Sequence, residues 1–180
     1  MGACQFDTQR LGKTVAEAFT AAVDQAAHEY GHGGYTGTIA EKHGYRLVTV
    51  PAGFTADKFI DALLEAANHS HYGDSPLPKR TDASYAWRTR AAKAHAKLLA
   101  VLGARELARL LELLNDKWGD CLAVEVTGKA LTAAKAEHDS RRGYSYETDR
   151  NGRMIEGTKK FGSPSARGMH LYRFVGTASS

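Results

Sequence analysis

Between Ser84 and Trp118 the residues Leu98, Leu99, Val101, Leu102, Leu107, Leu110, Leu111 and Leu114 recur at three- and four-residue spacing. Only a helix gathers such a pattern onto one side. Gly103 interrupts the run, and glycine weakens a helix interior, so the segment reads as a core helix or, broken at Gly103, a helix pair. A stripe this apolar has to be covered. The chain must therefore supply either further helices or the face of a sheet, and the segments on both sides supply β-type patterns.

An opening strand is expected around Gly2 to Gln9. Thr14 then caps a helix running to about Tyr30, with Glu17 three residues on to complete a capping box. Its apolar positions Val15, Ala18, Phe19, Ala22, Val23 and Ala26 form one face. Tyr45 to Val50 is β-rich and stops at Pro51, and Thr55 and Asp57 are placed to cap a second helix, Ala56 to about Asn68. The polar, Gly/Pro-containing stretch His69 to Asp82 reads as a loop. Cys121 to Thr127 reads as a strand and Ala130 to His138 as a short helix. Tyr144 to Thr148 and Arg153 to Glu156 flank the hairpin dipeptide Asn151-Gly152, and Met169 to Val175 alternates like a closing strand. The expected fold is α+β: a mixed or antiparallel sheet of about four to six strands packed against three to five helices. A length of 180 residues fits one domain spanning 1–180, with a soft boundary in the loop 69–83.

No apolar run approaches the roughly 20 residues needed to span a bilayer, so no membrane partner is expected. The first ten residues are polar and acidic where a secretory signal would be basic and then apolar. Cys4 and Cys121 are far apart and form no CxxC pair. Both features fit a reducing cytoplasm. Residues 1–75 carry five Lys/Arg against nine Asp/Glu, and residues 76–180 carry nineteen against eleven, so the halves stand at −4 and +8. A basic half argues for phosphate-bearing partners, whether a nucleotide or nucleic acid, while also fitting a well-solvated surface.

Three patterns carry chemistry. His28-Glu29-Tyr30-Gly31-His32 matches the HExxH signature, in which two histidines one helical turn apart hold zinc and the glutamate polarises the attacking water. Gly31 inside the motif and Gly33 and Gly34 behind it argue that the helix stops before His32. Tyr35 and Thr38 stand where the extended signature needs Gly and His. A third ligand would come from Glu65, His69 or His71. The metal alternative is thus His28, His32 and Glu65, against two surface histidines at a helix end.

The second pattern is the glycine-rich stretch Gly31 to Lys42. Its glycines let a backbone approach a ligand, Tyr35, Thr36 and Thr38 offer hydroxyls, and Lys42 offers a cation. It follows a helix, whereas phosphate-binding loops precede one, so a glycine-permitted turn is the competing reading. The third is basic and aromatic. Tyr85, Trp87, Arg88, Arg90, Lys93 and Lys97 head the long helix, and Arg141, Arg142, Arg150, Arg153, Lys159, Lys160, Arg167 and Arg173 follow in the basic half. The stretch Lys159 to Arg167 reads as a flexible loop suited to closing over an anion or, more simply, as a solvated hairpin connection. Interleaved aromatics and cations suit bases and phosphates, but Arg90, Lys93 and Lys97 also make an ordinary solvated helix face.

The GYTGTIAEK string of 34–42, with the helix before it and the closing FVGTASS of 174–180, resembles a group of small actinobacteriophage proteins with no assigned activity. The resemblance implies a phage accessory protein acting in an infected bacterial cytoplasm, in counter-defence or host takeover, and transfers no functional residue. The expected function is non-enzymatic binding of a small phosphorylated or nucleotide-type ligand by His32, Tyr35, Thr36, Thr38, Lys42, Arg88, Lys159, Lys160 and Arg167, with no cofactor. Nucleic-acid binding, zinc hydrolysis and inhibition of a host protein are the alternatives, and homo-oligomerisation stays open.

Overall fold

A computed structural model describes residues 2–31, 34–72, 79, 81–141, 144–145, 160–161 and 165–179. In chain order the elements are β1 (Ala3–Gly12), α1 (Val15–Tyr30), a single 3₁₀ turn (Ile39–Glu41), β2 (Tyr45–Leu47), α2 (Ala56–Tyr72), α3 (Tyr85–Leu102), α4 (Ala104–Asn115), β3 (Cys121–Val126), α5 (Lys129–Ser140), β4 (Tyr144–Ser145), β5 (Lys160–Phe161) and β6 (His170–Ser179). The fold is α+β. One four-stranded mixed sheet runs in the order β1-β6-β3-β2, and β4 and β5 pair separately. β6 is antiparallel to both β1 and β3, whereas β2 and β3 are parallel.

Strand alternation sends successive side chains to opposite faces, and both faces are covered. Leu122, Val124 and Val126 of β3 and Leu171 and Val175 of β6 meet Phe59, Ile60 and Leu63 of α2, Leu98 of α3 and the α4 stripe Leu107, Leu110, Leu111 and Leu114. On the other face Cys121 and Ala123 of β3, Tyr172, Phe174 and Ala178 of β6 and Phe6 of β1 meet Ala18, Ala22 and Ala26 of α1 and Ile39. Small residues on α1 let it lie close to the sheet. Phe6 pairs directly with Gly176, and a β-carbon at 176 would stand 3.1 Å from the Phe6 ring. The glycine leaves the gap that the ring fills.

Local signals account for most boundaries. The Thr14 hydroxyl accepts from Glu17 N at 3.2 Å, and Glu17 returns the favour by accepting from Lys13 N at 2.9 Å. Gly103 separates α3 from α4 at φ 77°, where an L side chain is strained. Three expectations need correction. The segment His69–Tyr72 is helical, because α2 continues to Tyr72. The strand expected at Tyr45 to Val50 stops at Leu47, although Val48 N still donates to Ala123 O at 2.8 Å. Met169 to Val175 understates β6, which runs on to Ser179. The Asn151-Gly152 hairpin turn lies outside the described residues; Tyr144 and Ser145 pair with Phe161 and Lys160. No helix among the described residues is long and apolar enough to cross a membrane.

Between α2 and α3 the rings of His69 and His95 stand 4.8 Å apart. Burial, and then the neighbouring His69, push the His95 imidazole below its ordinary value of 6.5. Its folded-state affinity for a proton is thus lower than that of the unfolded chain, so stability is full above about pH 6.5 and falls as the pH drops below it. Urea midpoints at pH 7.5 and 5.5 should show the decline, and His95→Gln should flatten it; an equal decline in that variant removes the assignment.

Candidate functional site

The two ends of the sheet differ in character. At the end where β2 and β3 begin, the glycine-rich stretch is tied into the fold. Gly37 N donates to Ser179 O at 2.8 Å. Thr36 donates to Glu41 Oε1 from both its N (3.1 Å) and its Oγ1 (3.0 Å), and its hydroxyl lies 2.8 Å from that of Thr38, which accepts from Ala40 N. Burial works to raise the Glu41 carboxyl, but the bonds from Thr36 and Tyr35 outweigh it and hold it below the usual range. Lys42 is buried, only 4% exposed, and its Nζ donates to Asp116 O at 2.5 Å. That carbonyl lies at the C-terminus of α4, where a cation is favoured. Burial lowers the Lys42 ammonium, opposed by Cys121, Asp116 and Asp120. Thr36, Thr38 and Lys42 are therefore engaged in holding the turn together, not in presenting a cradle. The Cys121 thiol beneath, pushed up to about 12 by burial, is a core group rather than a nucleophile. Tyr35 is exposed, in the left-handed region at φ 60°, with its ring edge-on to Trp118 at 6.3 Å.

The other expected ligand residues do not join this loop. Arg167 precedes β6 while the loop bonds to Ser179 at its far end, and a strand rising about 3.4 Å per residue separates them by roughly 30 Å. Arg88 is half-buried on α3, which lies over the opposite face of the sheet. His32 and Lys159 lie outside the described residues, as does the side chain of Lys160 on β5. The metal alternative is not assembled. α1 ends at Tyr30 with Gly31 at φ 92°, so the HExxH segment is not one continuous helix. His28 is exposed there, whereas Glu65 sits on α2 across the sheet, 3.5 Å from Arg90. Among the described residues no three His, Cys, Asp or Glu could hold a metal ion. Part of the basic helix face is also spoken for, with Lys97 Nζ 4.3 Å above the Phe54 ring.

At the opposite end, where the parallel strands β2 and β3 finish, there is a crevice of about 650 Å³. Leu47 to Val50 wall it on the β2 side, Phe54 to Asp57 at the head of α2, and Glu125 to Ala130 through the β3–α5 turn. The heads of two helices thus meet at the carboxyl ends of parallel strands, where open α/β sheets place their ligands. These heads are dressed differently. Thr55 Oγ1 accepts from Lys58 N, and Asp57 lies in the first turn of α2. α5 has no side-chain cap and no acidic residue in its first turn, and it begins with Lys129. A lysine at the positive end of a helix dipole opposes the field there, and the first amides of a helix have no internal acceptors. Gly128, at φ 72° with open space around it, makes the turn.

Both carboxylates on the crevice wall already have partners. Asp57 lies 3.1 Å from Arg173 Nη1, and Glu125 lies 2.7 Å from His170 Nδ1. Arg173 projects from β6 towards α2 and is bidentate to Asp7, with Nε to Oδ1 at 2.9 Å and Nη2 to Oδ2 at 2.5 Å. It also reaches Asp61 at 3.2 Å. Three threonine hydroxyls, of Thr49, Thr55 and Thr127, complete the polar wall. The sequence pattern marks the strand and the helix on either side of Gly128-Lys129, but not the dipeptide between them. No local spacing marks it, since its partners on β2 and α2 arrive from some seventy residues upstream. No family model, no curated protein and no solved structure matches the chain.

Proposed function

We propose that the protein binds a small phosphorylated ligand of nucleotide type in the crevice at the carboxyl ends of β2 and β3. The uncapped head of α5, with Lys129 at its first position, carries the reading. A phosphate there would accept from the free amides and meet the lysine ammonium, relieving both the orphan donors and the misplaced positive charge. The crevice volume lies in the range of small-molecule sites, and its threonines suit a ribose or a second phosphate. With the resemblance to actinobacteriophage proteins, this makes the chain a ligand-binding accessory protein of the infected bacterial cytoplasm.

Titration calorimetry with inorganic phosphate, AMP, ATP and cyclic nucleotides tests the reading. Saturable binding of at least one phosphorylated compound is expected. Lys129→Ala should weaken it by about ten-fold or more, the worth of one charge-assisted contact. No heat from any compound, or an unchanged affinity in the variant, overturns the site. Binding confined to long DNA or RNA, falling steeply with salt, would transfer the basic half to nucleic acid instead.

A further inference from the structure

α5 crosses the end of the sheet, and its tail borders a second crevice unrelated to the first. This one, of about 510 Å³, opens between β1, α1 and the last turns of α5. Its apolar wall includes Leu11, Leu171 and Ala134, and its polar groups include Arg10, Gln25 and Arg141. Arg10 is the anomaly. Its Nε is shut off from water and has no acceptor among the described residues. Its Nη1 bonds only to the carbonyl of the adjacent Gln9, at 2.9 Å, and it makes no ion pair among the described residues. A guanidinium cannot shed its proton and carries five donors, and a buried charged donor without an acceptor is costly. Native structures rarely leave such a group unmatched without a reason.

The neighbours do not supply the missing acceptor. Glu137, the one carboxylate on the crevice wall among the described residues, is 2.6 Å from Arg141 Nη2. Gln25 turns its amide to Glu29 at 2.5 Å. Asp7, three residues earlier in the strand and on the other face, is held by Arg173. Among the described residues the crevice therefore keeps one uncompensated positive charge beside an apolar wall.

We infer that this crevice is a second ligand site, which takes a small organic anion whose carboxylate or phosphate pairs with the Arg10 guanidinium while its apolar body lies on Leu11, Leu171 and Ala134. The planar fork of arginine matches either oxyanion through two parallel hydrogen bonds. Arg141 contributes by neutralising Glu137, which would otherwise repel the anion.

The test uses the whole chain and four probes: phenyl phosphate, phenylacetate, inorganic phosphate and benzyl alcohol, followed by amide chemical shifts in titrations to about 10 mM, a range that reaches millimolar affinities. Phenyl phosphate or phenylacetate should bind, with shifts at Arg10, Leu11 and Ala134, and whichever is tighter identifies the oxyanion. Inorganic phosphate and benzyl alcohol, each lacking one half of the recognition, should be at least ten-fold weaker at those residues. Arg10→Gln should reduce the affinity ten-fold or more, and Lys129→Ala should leave it unchanged, which separates this site from the first crevice. Arg141→Gln, at an exposed position, should weaken binding about three-fold at an unchanged urea midpoint, and it carries the test should Arg10→Gln not fold. Equal binding of benzyl alcohol, undiminished affinity in Arg10→Gln or Arg141→Gln, or no shift from either aromatic anion overturns the proposal.

Discussion

Gly12→Ala is expected to destabilise the protein by roughly 3 kcal/mol, the upper part of the range for overpacking a close-packed site. The new methyl would stand 2.6 Å from Ala18 N and 2.8 Å from Thr14 O. Both are main-chain atoms of the β1–α1 corner, so no side chain can swing aside. Relief would need the first turn of α1 to lift, pulling Ala18 and Ala22 from the sheet face on which they are almost fully buried. For a chain of this size the thermal midpoint should drop by about 6–12 °C. Melting followed by circular dichroism measures it, and a midpoint within a degree or two of the parent would mean that the corner opens easily.

Arg173→Ala is expected to cost about 2–3 kcal/mol, somewhat below the usual loss for breaking a buried ion pair. The discount reflects the partners: the arginine side chain is 11% exposed, but Asp7, Asp57 and Asp61 are 38%, 48% and 63% exposed, where water and salt screen them. Without the guanidinium three carboxylates from β1 and α2 converge with no cation between them. Removing two of them in an Arg173→Ala, Asp57→Asn, Asp61→Asn variant should restore more than half of the loss. Should the triple variant stay as unstable as the single one, the arginine acts through packing of its aliphatic stem and not through charge. Chemical denaturation in low and in molar salt separates these, since only the electrostatic share shrinks with salt.

Much of the fold could be read one residue at a time. Thr14 with Glu17, the alanine face of α1, Gly103 and the leucine stripe of α4 are local signals, and each produced the element it implied. The sheet order was not legible, because nothing near β6 says that it lies between β1 and β3. The candidate site suffered from the same limit. The glycine-rich stretch 31–42 looked like a ligand loop because its composition is local and conspicuous. What decides its role is the Asp116 carbonyl that holds Lys42 and the Ser179 carbonyl that holds Gly37, both distant in sequence. Conversely Gly128-Lys129 is an unremarkable dipeptide until the parallel pairing of β2 with β3 puts it at the mouth of a crevice. Arg10 likewise draws notice only when its surroundings show that no described residue answers its charge.

The central position of β6 also dictates how the chain must come together in time. It is the last of the described strands, yet β1 touches no other strand of the sheet. Ala3 must wait for Ser179, across almost the whole chain. The helices α2 to α4, adjacent in sequence and packed on one another, can associate early through short-range contacts. β1 and α1 can only hold a loose, partner-less edge until β6 slides in beside β3. Closure across so long a loop is entropically slow, so a late insertion of β6, completing both cores at once, is the expected slow step of folding.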